Sequence, residues 1–189
     1  MLTVHHLENS RSQRILWLLE ELEVDYEIQR YERDKTTGLA PPELFAVHPL
    51  GKSPVISDDG VTVAESGLIV EYLIEKYGNG RLMPEIATPE HLQFRYWIHY
   101  AEGTFMPLMI ISLILTRIET APMPFFLKPV AKKIAEKTRA AYSGPNTKLN
   151  LDYLETTLQN SAWFCGAEMS GADIMLSFPI EAAATRVNL

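Results

Sequence analysis

The sequence predicts an α/β N-terminal domain followed by an all-α domain, and three observations carry that prediction. A strand, an amphipathic helix and a second strand fill the first 31 residues. A strand pair joined by Asp58-Asp59-Gly60 follows and leads into another helix, and no convincing strand occurs beyond Pro89. The first two give the order βαβαββα over roughly 80 residues. The third makes the rest helical.

Leu2-Thr3-Val4 with His5-His6-Leu7 reads as the first strand, and Glu8-Asn9-Ser10 supplies turn and cap chemistry ahead of a helix. Ile15, Leu18, Leu19 and Leu22 then fall at i, i+3, i+4 and i+7, one face of that helix. Asp25 to Tyr31 alternates and reads as a second strand, parallel to the first if the helix between them is a crossover. Residues 32–47 hold the loop Lys35-Thr36-Thr37-Gly38 and a short helix from Pro41 to Val47. Leu50-Gly51-Lys52-Ser53-Pro54 is a turn entering a strand. Pro54 cannot donate to a ladder, so the backbone of Ser53 is left for another partner, and a ligand with its own peptide bond fits. Val55-Ile56 and Val61 to Ala64 flank the Asp-Asp-Gly turn as a hairpin. Glu65-Ser66-Gly67 opens a helix expected to bury Leu68, Ile69, Tyr72 and Leu73, placing a carboxylate and a hydroxyl at an end that exposes unpaired N–H groups and attracts anions.

Residues 81–89 lack periodicity, carry two prolines and read as a linker between residues 1–80 and 90–189. Glu90 to about Glu119 reads as one long helix kinked at Pro107. Ala121-Pro122-Met123-Pro124 breaks it, a basic segment from Val130 to Tyr142 resumes, and Ser143-Gly144-Pro145 starts another helix with Leu151, Leu154 and Leu158. Ser170 reads as an N-cap with Asp173 at the third helical position and Met169 and Ile174 as a hydrophobic staple.

With 189 residues, 47% hydrophobic and 22% charged, the chain has ample material for a core. Its net charge of −7 disfavours nucleic acid or an anionic membrane as partner, because both require clustered Lys and Arg. The single cysteine, Cys165, excludes an internal disulfide and a CxxC pair and favours a cytoplasmic setting. The N-terminus lacks a basic segment followed by an apolar one, and the near-continuous apolar run from Phe105 to Leu115 is well short of the ~20 residues of a membrane span. His5, His6, His91 and His99 show no metal-ligand spacing, so no metal is expected.

Three stretches together resemble the cytosolic glutathione S-transferases, in particular the serine-type members of bacteria and fungi. They are Ser10-Arg11-Ser12-Gln13-Arg14, Gly51 to Pro54 with Glu65-Ser66, and Ser170-Gly171-Ala172-Asp173-Ile174 with Ser177 to Pro179. The resemblance implies a thioredoxin-like glutathione-binding domain over 1–80, a cis peptide bond at Pro54, and an all-helical domain over 90–189. Family members continue with further helices, so the second domain reads as truncated at its C-terminal end. The activity implied is glutathione conjugation to soft, small apolar electrophiles in a detoxifying, cytoplasmic homodimer, with glutathione as co-substrate. A glutathione-dependent disulfide reductase or peroxidase is a second reading, and a non-catalytic ligand- or protein-binding module a third.

By that resemblance Ser10 is the catalytic hydroxyl, with Asn9 and Ser12 as rivals, and a plain N-cap serine is the structural reading of the same residue. A thiol of pKa near ~8.5 must fall by about two units to ionise at neutral pH, roughly 2.7 kcal/mol. A helix N-terminus supplies ~0.3–1 kcal/mol, and a hydrogen bond to a charged group ~1.5–3. Together they suffice, so Ser10 would donate to the thiolate and not attack. Glu65 would hold the ammonium of the γ-glutamyl group, Ser66 its α-carboxylate, the backbone of Ser53 beside Pro54 the peptide, and Lys52 the glycine carboxylate. Phe105, Met106 and Met109, with Ile110, are expected either in an electrophile pocket or in the core.

Overall fold

The computed structural model describes residues 1–186, with side chains through Thr185. Val187 to Leu189, the end of the run on which an early-ending second domain is expected, lie outside the described residues. Seven elements form the α/β half: β1 (Leu2–Leu7), α1 (Gln13–Leu22), β2 (Glu27–Tyr31), α2 (Glu43–Val47), β3 (Val55–Asp58), β4 (Val61–Ala64) and α3 (Ser66–Tyr77). The sheet order is β2-β1-β3-β4. β1 runs parallel to β2, with Val4 opposite Ile28, and antiparallel to β3, with Val4 opposite Ile56; β3 and β4 form the hairpin. This is the thioredoxin-like order.

The apolar period of α1 is obeyed, for Ile15, Leu18, Leu19 and Leu22 are all buried, and Arg14 is buried beside them. In α3 the buried face differs from the expected one. It comprises Ser66, Ile69, Val70, Leu73 and Ile74, while Leu68 is exposed and Tyr72 half-buried. The helix starts at Ser66, and Leu68 stands about 200° round the axis from it, so the inward stripe passes through Ile69 and Val70 instead. Helices α1 and α3 pack on each other and on the last helix of the chain.

Residues 81–88 contain no helix or strand. Thr88 then caps α4 (Pro89–Tyr100) by accepting the His91 N–H at 3.1 Å. A π turn, Ala101–Phe105, leads without a break into α5 (Met106–Thr120), and a second, Arg139–Ser143, joins α6 (Lys128–Thr138) to α7 (Gly144–Asn160) in the same way. Each π turn is followed by a proline at the second position of the next helix, Pro107 and Pro145. Proline has no N–H and its ring collides with the carbonyl four residues back. Widening the preceding turn by one residue removes that conflict. Ser143-Gly144-Pro145 therefore continues a helix that it was expected to start, and the expected irregularity at Pro107 takes this form.

The run Pro89–Thr120 is long and apolar enough to resemble a membrane span by composition, but half of its most apolar stretch is buried inside the protein. Phe94, Trp97, Phe105 and Met109 from this run join Val4, Ile15, Leu18, Ile69 and Leu73 from the other half in one core. The final helix, α8 (Gly171–Arg186), also belongs to it through Ala172, Ile174, Met175 and Leu176. At its start the Asp173 carboxylate accepts the Ser170 N–H at 2.8 Å, the Ser170 hydroxyl at 2.9 Å and the Phe164 N–H at 3.0 Å. Half of the expected capping box is thus inverted: the Ser170 hydroxyl donates to Asp173, and the Asp173 N–H goes to the Ser170 carbonyl.

Candidate functional site

The site lies where the β1–α1 turn, the turn before β3, the start of α3 and the α4–α5 junction converge. Asn9 adopts a left-handed conformation, φ 49°, which asparagine tolerates better than most residues, and so turns the chain out of β1. The turn tightens into α1 through hydrogen bonds from Gln13 N–H to the Ser10 carbonyl and from Ile15 N–H to the Ser12 carbonyl. Ser10 therefore sits ahead of the helix and is not its N-cap; Ser12 holds that place and makes no side-chain cap. Arg33 braces the turn by donating to the carbonyls of Glu8, Asn9 and Gly38.

A cleft of about 510 Å³ opens here, lined by Asn9, Ser10, Arg11, Arg33, Lys52, Ser53, Met106, Ile110 and Phe178 among others. It shares Arg11, Leu50, Lys52 and Ser53 with a recess of about 60 Å³ that also touches His48, Pro54, Glu65, Ser66 and Glu102. The Ser53-Pro54 peptide is cis. Gly51, φ +55°, precedes it in a backbone conformation favouring glycine, and a Cβ there would lie 2.6 Å from the Phe45 ring.

Within the cleft wall the hydroxyls are linked. Ser10 Oγ is 2.8 Å from Ser12 Oγ and 3.5 Å from Ser53 Oγ, and it accepts the Ser12 N–H at 3.3 Å. Ser12 Oγ lies 2.9 Å from His6 Nδ1. Burial, helped by the charge of Arg30, holds His6 below the usual histidine range. Ser12 is fully buried and does not line the cleft, whereas Asn9 and Ser10 do.

Glu65 immediately precedes α3 with φ 74°, ψ 121°, an uncommon backbone conformation for a residue with a side chain, and its side chain is exposed toward the recess. No side chain caps α3, so its first N–H groups are free to meet an anion beside Ser66. Lys52 is exposed where cleft and recess meet. The structure thus brings Ser10, Lys52, Ser53, Pro54, Glu65 and Ser66 around one continuous depression. Of the apolar candidates, Met106 lines the cleft with Ile110. Phe105 and Met109 do not; both are fully buried in the core.

Sequence reasoning missed Arg11, Arg33, Glu102 and Phe178. Arg14 is fully buried, donates to the Met175 carbonyl at 2.6 Å and to Glu102, and lies over the Phe178 ring at 5.5 Å. Burial lowers its pKa against the opposing pull of Glu102. Arg11 stands 3.3 Å from the other Glu102 oxygen. Cys165 does not line the cleft, and burial pushes its thiol up to about 11. Among the described residues no cluster of three metal-ligating side chains occurs.

The family described as "Glutathione S-transferase, N-terminal domain" matches residues 1–75. Glutathione S-transferase 3 of Schizosaccharomyces pombe is 39% identical over 97% of this chain and 74% of its own length. Glutathione S-transferase 1 of Saccharomyces cerevisiae is 36% identical over 98% of this chain and 82% of its own. Among solved structures, a glutathione S-transferase from Actinobacillus pleuropneumoniae superposes with a TM-score of 0.79 at 32% identity, over 100% of this chain and 80% of that one. A Phanerochaete chrysosporium glutathione transferase, solved with oxidized glutathione, reaches a TM-score of 0.73 at 22% identity over 100% and 80%, a likeness of fold alone. With the four-stranded sheet, the helical second half and relatives this similar along nearly their whole shared length, the chain belongs to the glutathione S-transferase family of enzymes.

Proposed function

We propose that this enzyme binds glutathione along the depression from Glu65 to Lys52 and conjugates its thiolate to soft, small apolar electrophiles entering over Met106 and Ile110. The observation that carries this reading is the position of the Ser10 hydroxyl on the cleft wall, next to the Ser53-Pro54 turn and within the same depression as the uncapped start of α3. In this reading Glu65 holds the γ-glutamyl ammonium, Ser66 and the α3 N–H groups its carboxylate, the Ser53 backbone the cysteinyl peptide, and Lys52 the glycine carboxylate. Ser10 donates to the thiolate, and catalysis is thiol ionisation plus positioning. Residues 1–80 serve as the glutathione-binding domain, 90–189 as the helical domain and 81–89 as the linker.

The test is a calorimetric titration with glutathione together with conjugation assays on aryl halides. Ser10→Ala should depress turnover at neutral pH by about 10²-fold with little change in glutathione affinity. Equal losses in binding and turnover would point to Ser10 as a ground-state contact only.

A glutathione-dependent disulfide reductase is the second reading. It is favoured by the similarity to an Escherichia coli protein named disulfide-bond oxidoreductase, 26% identical over 92% of this chain and 76% of its own length, and requires no protein cysteine. Disulfide and peroxide substrates assayed beside aryl halides separate the two. A cytoplasmic homodimer with a detoxifying role completes the proposal. The exposed pair Leu92 and Tyr96, one turn apart on α4, supplies apolar surface for a subunit contact, and sedimentation of the full chain tests it.

A further inference from the structure

The Ser10 hydroxyl ends a chain of polar contacts, and counting protons along that chain limits where it can point. A hydroxyl carries one proton and two acceptor positions. Ser53 Oγ gives its proton to the His5 carbonyl at 2.8 Å and accepts the Leu7 N–H at 3.3 Å, so toward Ser10 it can only accept. The Ser12 N–H already donates to Ser10 Oγ. The open question along the chain is the Ser12 hydroxyl, held 2.8 Å from Ser10 Oγ and 2.9 Å from His6 Nδ1, with the Leu7 carbonyl at the longer 3.5 Å.

Two directions satisfy these contacts. If His6 Nδ1 accepts, Ser12 donates to it and Ser10 must donate into Ser12, which turns the Ser10 proton into the protein. If Nδ1 carries the proton, Ser12 accepts from His6 and donates to Ser10. The Ser10 proton is then left with only the 3.5 Å contact to Ser53, which an anion in the cleft displaces readily. A thiolate can bind the second arrangement through a charge-assisted hydrogen bond and cannot bind the first, so its arrival selects the second.

We infer that His6, donating through Nδ1–H once a thiolate occupies the cleft, and Ser12 are positioning residues that direct the Ser10 proton into the cleft toward the reacting sulfur. This rests on the reading that Ser10 stabilises the glutathione thiolate. The sequence pattern explains why His6 is available: alternation along β1 puts it on the face of Leu2 and Val4, while His5 turns to the opposite face and bonds Tyr31 and Ser57. Burial first, and the charge of Arg30 of β2 second, oppose protonation of His6, which favours a neutral ring with one movable proton.

The experiment measures the apparent pKa of bound glutathione, from thiolate absorbance, and the kcat and KM of conjugation in the full chain. The variants are Ser10→Ala, His6→Leu, His6→Asn and His6→Leu with Ser12→Ala. His6→Leu should raise the thiol pKa and lower kcat at neutral pH by about tenfold, with KM for glutathione within about twofold of the parent. His6→Asn, whose amide nitrogen takes the place of Nδ1–H, should return both toward parental values. Adding Ser12→Ala to His6→Leu should also recover the thiol pKa, because it removes the acceptor that draws the Ser10 proton inward. If His6→Leu fails to fold, His6→Gln, whose amide reaches the Nε2 position, must show the same loss. Parental pKa and kcat in the His6→Leu or His6→Gln protein, or a deeper loss on adding Ser12→Ala, overturns the relay. An unmoved thiol pKa in Ser10→Ala overturns the thiolate reading and the relay with it; a shift there with none in the His6 variants overturns the relay alone.

Discussion

Arg14 and Glu102, 88 residues apart, form an ion pair that ties the first helix of the α/β half to the π turn of the long helix. The Arg14 side chain is 1% exposed and that of Glu102 32%. A widened turn at 101–105 thus carries the carboxylate that both holds Arg14 and borders the recess beside Glu65 and Ser66.

Removing that carboxylate leaves a buried guanidinium short of a charged partner. A fully buried pair broken this way costs ~3–5 kcal/mol, and the partial exposure of Glu102 reduces it, so Glu102→Ala should lose about 2–3 kcal/mol. Urea unfolding followed by fluorescence measures this. A midpoint equal to the parent's would show that solvent satisfies Arg14.

The carboxylate of Asp173 is structural in its contacts, since it is buried and holds two backbone N–H groups and the Ser170 hydroxyl. Asp173→Ala should cost about 2–4 kcal/mol, counting each orphaned N–H at ~1–2. Folded variant protein should keep its per-molecule activity. Full thermal stability with lost turnover would move Asp173 into the catalytic machinery.

How much of this was legible depended on whether the signal was local. The helix α1 was readable because Ile15, Leu18, Leu19 and Leu22 repeat within a single element, and the hairpin because Asp-Asp-Gly dictates a turn. The face of α3 was misjudged because Leu68 and Val70 are equally apolar; the choice between them follows from where α1 and the last helix press. The prolines 107 and 145 signalled irregularity without revealing that each is absorbed by a widened turn. Resemblance and local turn chemistry singled out Ser10, Lys52, Ser53, Glu65 and Ser66, which the fold brings around the cleft and recess. Arg14 with Glu102, and His6 with Ser12, were invisible, since they become pairs only when distant segments or alternating strand faces meet. Phe105 and Met109 could not be told from Met106 because burial or exposure of a helical methionine is decided by its neighbours.

Asp58 is buried at the end of β3, where Tyr72 at 2.9 Å, Lys76 at 2.7 Å and Tyr77 at 2.8 Å all donate to one of its oxygens. Burial alone would raise its pKa, but these donors and the Lys76 charge together pull it below the usual 3.8. A depressed carboxylate contributes stability that is complete above the unfolded pKa and lost as pH falls through the folded one. Asp58→Asn should therefore destabilise by about 1.5–3 kcal/mol at pH 7, and the gap to the parent should close below the folded pKa. A gap constant with pH would show that the charge of Asp58 contributes nothing.

Glu65 is exposed before ligand arrives and is held with φ 74° at the recess. Glu65→Ala should weaken glutathione binding by about 1.5–3 kcal/mol, the range for a hydrogen bond to a charged group. A glutathione analogue lacking the γ-glutamyl amine should bind parent and variant alike. Unchanged calorimetric affinity for glutathione itself would remove Glu65 from the binding site.

The central claim, that the cleft holds glutathione with its sulfur on Ser10, is tested most directly by a crystal structure of the full chain with glutathione bound. The sulfur should lie within hydrogen-bond reach of Ser10 Oγ, the peptide against the Ser53 backbone and the γ-glutamyl group at Glu65 and Ser66. A sulfur seated against the Asn9 side chain, or a ligand bound away from this cleft, would contradict it.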